Sequence, residues 1–390
     1  MKKFLSLTLV LVLIAVAVSH KTEILEAVDS VFGSDTVINW NEVSAEESEL
    51  GSAYKNHFGA LDEAQKKAYN HILSEVYNAE AEFPTLIQIP LMTGDELTEV
   101  IQALNYDNPT LMCFGRNSTI ATSDGLCFFK PSYTLTPPEQ RVRANTLNSV
   151  CEQILAQLPE GSDEFETELF IHDYIVNKCT YDVTVAETSS TPYSCLIDGL
   201  SACEGYSKAA KLLCEKAGLE CYTVSGEAVN YDGKTEGHMW NIIKIDGEYY
   251  HLDVTWDDPT AENSQETLSH LFMNLSDEEI SIDHFGYPQF FDCTSTKANY
   301  FAKTDRLFSS LNSKAVARLK QLMAQSPDGH IEIRFRSEAY YNEAVRYLIT
   351  NGRIYKIVSS ANKIYGTDLS TQSVGYIETK ERNALDLYFD

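Results

Sequence analysis

"GHMWNIIKIDGEYYHLDVTWDDP", Gly237 to Pro259, carries the strongest turn signal in the chain. Asp246-Gly247 lies between two runs rich in β-branched and aromatic residues, the composition of a hairpin closed by a two-residue loop. Such a loop sets Ile245 opposite Glu248, Trp240 opposite Asp253 and His238 opposite Thr255. Side chains alternate between faces, so His238, Trp240, Ile242 and Lys244 share one with Tyr249, His251, Asp253 and Thr255. His238 and Asp253 become diagonal neighbours, roughly 7–8 Å apart at the backbone, close enough for a carboxylate to reach an imidazole. A slip of one residue would put them on opposite faces. Two plainer roles stay open: an ordinary strand-end histidine, and an aspartate that hydrogen-bonds the turn after Trp256.

Upstream, "SACEGYSKAAKLLCEKAGL" from Ser201 reads as a helix. Ser201 followed by Glu204 fits a capping box, Gly218 fits a helix stop, and Tyr206, Ala209, Ala210, Leu213, Cys214 and Ala217 form the buried stripe. This puts Cys203 at the second helical position, where unpaired amides and the positive end of the helix dipole favour a thiolate and can receive an oxyanion. Alone, the cysteine reads first as a disulfide half or a buried filler. Joined to a histidine oriented by a carboxylate, it becomes a candidate nucleophile with a general base.

The 390 residues are 44% hydrophobic, enough for a sizeable core and more than one folding unit. A formal net charge of −27 disfavours nucleic acid and anionic membranes as partners. The first residues place Lys2 and Lys3 ahead of an apolar run that ends near small residues, which reads as an export signal over 1–19. A secreted or cell-surface protein without stable membrane insertion is expected. Nine cysteines permit disulfides there and leave at least one without an internal partner; Cys113 and Cys127, in apolar runs that flank a polar loop, are the expected neighbours, and reduced, buried thiols are the alternative.

Helical spacing recurs in "LDEAQKKAYNHILSEVY", "GDELTEVIQALNYDNP", "RVRANTLNSVCEQILAQL" and "SDEFETELFIHDYIVNKCTYD", the last capped by Ser162. The runs "TLMCFG" and "LCFFK" look like a strand pair. The expected organisation is a mostly helical region with a strand pair over 20–158, a catalytic core over 159–300, and a small α/β region over 301–390. In the last, Gly352 is read as a helix stop.

The segments "CEGYSKAAKLL", "GHMWNIIKIDG" and "YYHLDVTWDD" resemble the transglutaminase-like superfamily, and the helix before them resembles bacterial exported members. The resemblance implies an α+β fold with a papain-like core, a Cys-bearing helix packed on an antiparallel sheet. It implies Cys203 as nucleophile, His238 as general base then acid, and Asp253 as orienter, with no cofactor and no metal. The animal cross-linking enzymes have glutamine before the cysteine and tryptophan after it, whereas Ala202 and Glu204 stand here. They also place an indole near the oxyanion; Tyr181 or Tyr193 is the substitute this sequence offers.

The expected chemistry is a thioester on Cys203 formed from an amide or peptide carbonyl, then transfer of the acyl group to water or to an amine. Peptides or proteins are the expected substrates, with cell-wall peptides among them. The rivals are a non-catalytic binding or scaffold protein that keeps the fold, and a metal site from His238, His251 and Asp253. Trp240 and Trp256 read as sheet packing, Trp240 also as a shield, and His172 as a satisfied core histidine.

Overall fold

The computed structural model describes residues 14–15, 38–115, 117–123, 125–182, 184, 190–230, 233–258, 268–326 and 329–389. The expected leader, residues 1–19, lies outside them except for Ile14–Ala15, which runs parallel to Thr119–Ile120. The chain is a mixed α/β protein with antiparallel sheets. It divides into two compact units, residues 1–244 with 285–290 and residues 245–284 with 291–390.

In the first unit, four helices begin on a side chain that closes the first turn. Asp62, Thr93, Thr136 and Asp163 each accept the amide three residues on, and the Gln or Glu there returns a bond to the cap amide. These boxes start Glu63–Asn78, Gly94–Asp107, Pro137–Leu155 and Glu164–Lys178. Pro137 is the first residue of its helix, where a missing N–H has no partner to lose. The cap of the fourth helix is Asp163, not the expected Ser162, whose hydroxyl turns back to the Pro159 carbonyl at 2.8 Å.

Ile72 and Val76 of one helix, and Leu97, Ile101 and Leu104 of another, pack with Phe129 into one apolar cluster. The sheet beside them differs from the expected strand pair. Leu126–Lys130 is antiparallel to both Thr119–Ser123 and Ile87–Ile89, while the Cys113 run makes only a bridge from Phe114 to Tyr133. The tight turn before Leu126 contains Gly125 at φ 82°, a conformation that suits glycine. The polar "TIATS" hides its strand character from a search for apolar runs.

The helix Cys203–Lys216 is buried almost all round from Glu204 to Cys214. It ends as expected at Gly218, φ 87°, in a Schellman motif: the Leu219 amide bonds the Cys214 carbonyl at 2.8 Å, and the Gly218 amide bonds the Glu215 carbonyl at 3.0 Å. The chain then enters the strand Cys221–Val229, antiparallel to Thr235–Ile245 with Gly226 opposite His238. Asn241 stitches helix to strand pair, its Nδ2 donating to the Ser207 carbonyl at 2.9 Å and the Tyr222 carbonyl at 3.1 Å.

In the second unit, Asp246 and Gly247 have φ of 51° and 83°, the two left-handed residues that a two-residue hairpin loop requires. The strand Glu248–Leu252 that follows is antiparallel to Met273–Leu275. Farther on, a four-stranded sheet has Ala384–Tyr388 antiparallel to His330–Phe335 and to Gly375–Thr379, with Leu307–Phe308 at one edge. Leu319, Leu322, Ile333, Leu348, Val358 and Leu385 form its apolar core with the flanking helices. Gly352, at φ 62°, follows the end of the helical run Glu338–Val345 and Arg346–Thr350, the stop expected there, its amide bonding the Ile349 carbonyl at 3.0 Å; a further helix, Arg353–Tyr365, begins directly after it. Among the described residues no helix is long and apolar enough to cross a membrane.

Candidate active site

Cys203 is the first residue of its helix, one position earlier than the capping box implied. The N-cap is Ala202, which offers no side-chain bond, and the expected box does not form. Ser201 Oγ lies 3.1 Å from Ser194 Oγ instead. Glu204 has better partners than a cap amide: Lys208 Nζ donates to it at 2.7 Å and Asn105 Nδ2 at 2.8 Å, and Lys208 also donates to Asn105 Oδ1 at 2.9 Å. A buried carboxylate held by a buried ammonium outweighs one backbone bond. The Ala202 carbonyl takes the amides of Gly205 and Tyr206, so those of Cys203 and Glu204 precede the first intrahelical bond.

None of the nine cysteines is in a disulfide, and Cys203 is the only one of them that is not buried. The disulfides that export would permit do not form; Cys113 and Cys127 sit in the apolar interior as small hydrophobes. Burial pushes the thiols of Cys113 and Cys151 up to about 12 and raises that of Cys127. These thiols resist ionisation at neutral pH.

His238 lies on the strand beside the cysteine helix and is 4% exposed. One hydroxyl joins the two elements: Ser207 Oγ is 2.8 Å from the Cys203 carbonyl oxygen and 2.8 Å from that of Met239, the neighbour of His238. The His238 ring stacks on Trp240 at 6.0 Å between centroids and 16° between planes, and Tyr287 meets Trp240 edge-on at 5.1 Å. Trp240 is fully buried, which fits packing and shielding together. Opposite His238, a Cβ on Gly226 would come within 2.7 Å of the Phe285 carbonyl and 2.9 Å of the Trp240 ring. Only glycine leaves room for this stack.

Asp253 follows the strand Glu248–Leu252 in the second unit and is fully buried. Its Oδ1 accepts the amides of Thr255 at 3.0 Å and Trp256 at 3.2 Å, so it does bond a turn, the one that leads into Trp256. Its Oδ2 faces His284 Nε2 at 3.0 Å. Sequence reasoning had no signal for His284, which lies 31 residues away.

The remaining expectations divide. His172 is a core histidine, with Nδ1 3.0 Å from Asp173. Tyr181 pairs through its main chain with Ser201, its ring 6.4 Å from that of Tyr206, and Tyr193 lies under the Arg143 guanidinium at 5.1 Å. Tyr106, which the sequence did not single out, lies within electrostatic reach of Glu204 and Cys203; burial above all holds its phenol protonated. Of the imagined metal ligands, His251 bonds Asp277 at 3.0 Å while Asp253 bonds His284. His251, Asp277 and Cys293 do bring ligand atoms within 4.8 Å of one another. Asp277 there accepts from the Cys293 amide at 2.9 Å, and burial raises the Cys293 thiol, so the cluster is satisfied by hydrogen bonds.

Residues 152–254 match the family model of the transglutaminase-like superfamily. They form a transglutaminase-like domain. The transglutaminase-like domain takes in Cys203 and His238 and ends one residue past Asp253. The chain is 23% identical over 139 residues to kyphoscoliosis peptidase of Mus musculus, covering 33% of this chain and 21% of that protein. Against the Homo sapiens protein of the same name it is 23% identical over 151 residues, 36% of this chain and 22% of that one. The matched stretch thus spans about a fifth of those relatives. A crystal structure of a TGase is similar over 49% of this chain and 55% of its own, at 15% identity and a TM-score of 0.27, too low to inform the site.

Proposed function

We propose that the protein is an exported thiol acyl-transfer enzyme in which Cys203 is the nucleophile, His238 the proton carrier and Asp253 the orienter of His238. The single observation that carries this is the pairing of the one unburied thiol, at a helix start, with a histidine strand through the shared Ser207 hydroxyl. The hairpin loop at Asp246-Gly247 has the backbone that the His238–Asp253 register needs, which supports the third member.

In the proposed reaction His238 takes the Cys203 proton and the sulfur attacks an amide carbonyl carbon. The oxygen's growing charge is received by the amide of Cys203, which precedes the helix's own bonds. The C–N bond breaks as His238 returns its proton to the leaving amine, and a thioester remains. Water then attacks, loses a proton to His238, and releases a carboxylic acid and the free thiol. A peptidase is favoured over a cross-linking transferase because the matched relatives are named peptidases.

The test is incubation with a protein substrate and a labelled primary amine, with Cys203→Ala as control. Fragments without amine incorporation support the peptidase. Incorporation without fragments assigns the amine as acceptor, and identical behaviour of Cys203→Ala overturns both.

A further inference from the structure

Asp253 is one end of a chain of four charged side chains in the second unit. Its Oδ2 faces His284 Nε2 at 3.0 Å; the other ring nitrogen, Nδ1, faces Asp283 Oδ1 at 2.5 Å. Both oxygens of Asp283 accept from Arg382 Nη2, at 2.8 and 2.6 Å, across 99 residues of sequence. Asp253 and His284 are fully buried and Arg382 is 2% exposed. The guanidinium is itself fixed: Nη1 donates to the Glu279 carbonyl at 3.2 Å, and its centre stands 4.1 Å from the Phe272 ring centroid.

Both ring nitrogens of His284 thus face a carboxylate oxygen, which accepts when ionised. Acidic and basic side chains alternate from Asp253 to Arg382, so each has a neighbour of the other kind. Other ionisable groups close by are His251, bonded to Asp277, and Arg334, which pairs with Glu279 at 2.8 Å. Trp256 covers the His284 ring at 4.5 Å.

We propose that His284 and Arg382 are positioning residues for acyl transfer: they hold the Asp253 carboxylate ionised and fixed in rotation. This rests on the reading of Asp253 as the orienter of His238.

The test follows iodoacetamide alkylation of Cys203 against pH in the full chain, for wild type, Asp253→Asn, His284→Gln and Arg382→Lys. Thermal melts accompany each variant. Asp253→Asn and His284→Gln should slow alkylation near neutral pH by about 10-fold or more, the scale on which partners behind a functional side chain act. The loss should fade above pH ~9, where a thiol ionises unaided. Arg382→Lys, which keeps the charge, should fall between wild type and His284→Gln.

A merely architectural role would lower the melting temperature and leave the pH profile unmoved. If Asp253→Asn alters the profile and the other two do not, the positioning role is overturned while the triad stands. If Asp253→Asn also leaves it unchanged, Asp253 orients nothing and both readings fail.

Discussion

Cys203 and Met239 present their carbonyl oxygens to a single hydroxyl, Ser207 Oγ, at 2.8 Å each. A hydroxyl has one proton to give, so this one is shared between the start of the cysteine helix and the strand that bears His238. Ser207→Ala removes the tie. We expect a stability loss of about 1 kcal/mol, the usual net value of one hydrogen bond. If the tie sets the spacing of thiol and imidazole, kcat on an ester probe should fall with KM little changed; thermal melts and initial rates measure the two.

The pair Glu204–Lys208 lies in the first turns of the helix that begins at Cys203, at 6% and 3% exposure. Glu204→Ala leaves the buried Lys208 ammonium with Asn105 Oδ1, at 2.9 Å, as its remaining side-chain acceptor among the described residues. Breaking such a pair from one side costs about 3–5 kcal/mol. Urea unfolding should show this as a lowered midpoint, and Glu204→Gln, which keeps an acceptor oxygen, should recover part of it.

Gly226 faces His238 across the strand pair, and a methyl group there meets a carbonyl and the Trp240 ring at under 3.0 Å. Gly226→Ala is expected to destabilise by about 1–3 kcal/mol through overpacking. It should also loosen the His238–Trp240 stack, visible as a change in tryptophan fluorescence. An unchanged spectrum and midpoint would show that the strands adjust freely.

His57 donates from Nε2 to the Thr223 carbonyl at 3.0 Å, and burial lowers its pKa to about 4. The unfolded chain takes up this proton below about pH 6.5 while the folded one refuses it until about pH 4. Stability should therefore be unaffected above that window and decline as pH falls through it, by at most about 3 kcal/mol. His57→Gln should flatten this acid limb in urea midpoints measured at intervals across the window.

What was legible in the sequence is what local chemistry decides. Asp246-Gly247 takes the backbone its residue types favour, and Gly218 closes its helix with the expected pair of bonds. The capping box at Ser201 failed because Glu204 had a choice the sequence does not display: Asn105 lies 99 positions away and supplies a buried partner. His284 and Arg382 were invisible for the same reason, since no periodicity links a residue to a partner 31 or 99 positions distant. The thiols went the other way. Nine cysteines in a chain read as exported permit bridges, but eight of them pack as buried thiols with no disulfide.

Under the proposed function Cys203 carries the acyl group. Exposure to a p-nitrophenyl ester of an N-acetylated amino acid, followed by quenching and mass mapping of peptides, tests it directly. An adduct on Cys203 that turns over in the wild type, persists in His238→Ala and is missing from Cys203→Ala is the expected result. Acylation spread over lysines, with equal labelling of Cys203→Ala, would contradict it.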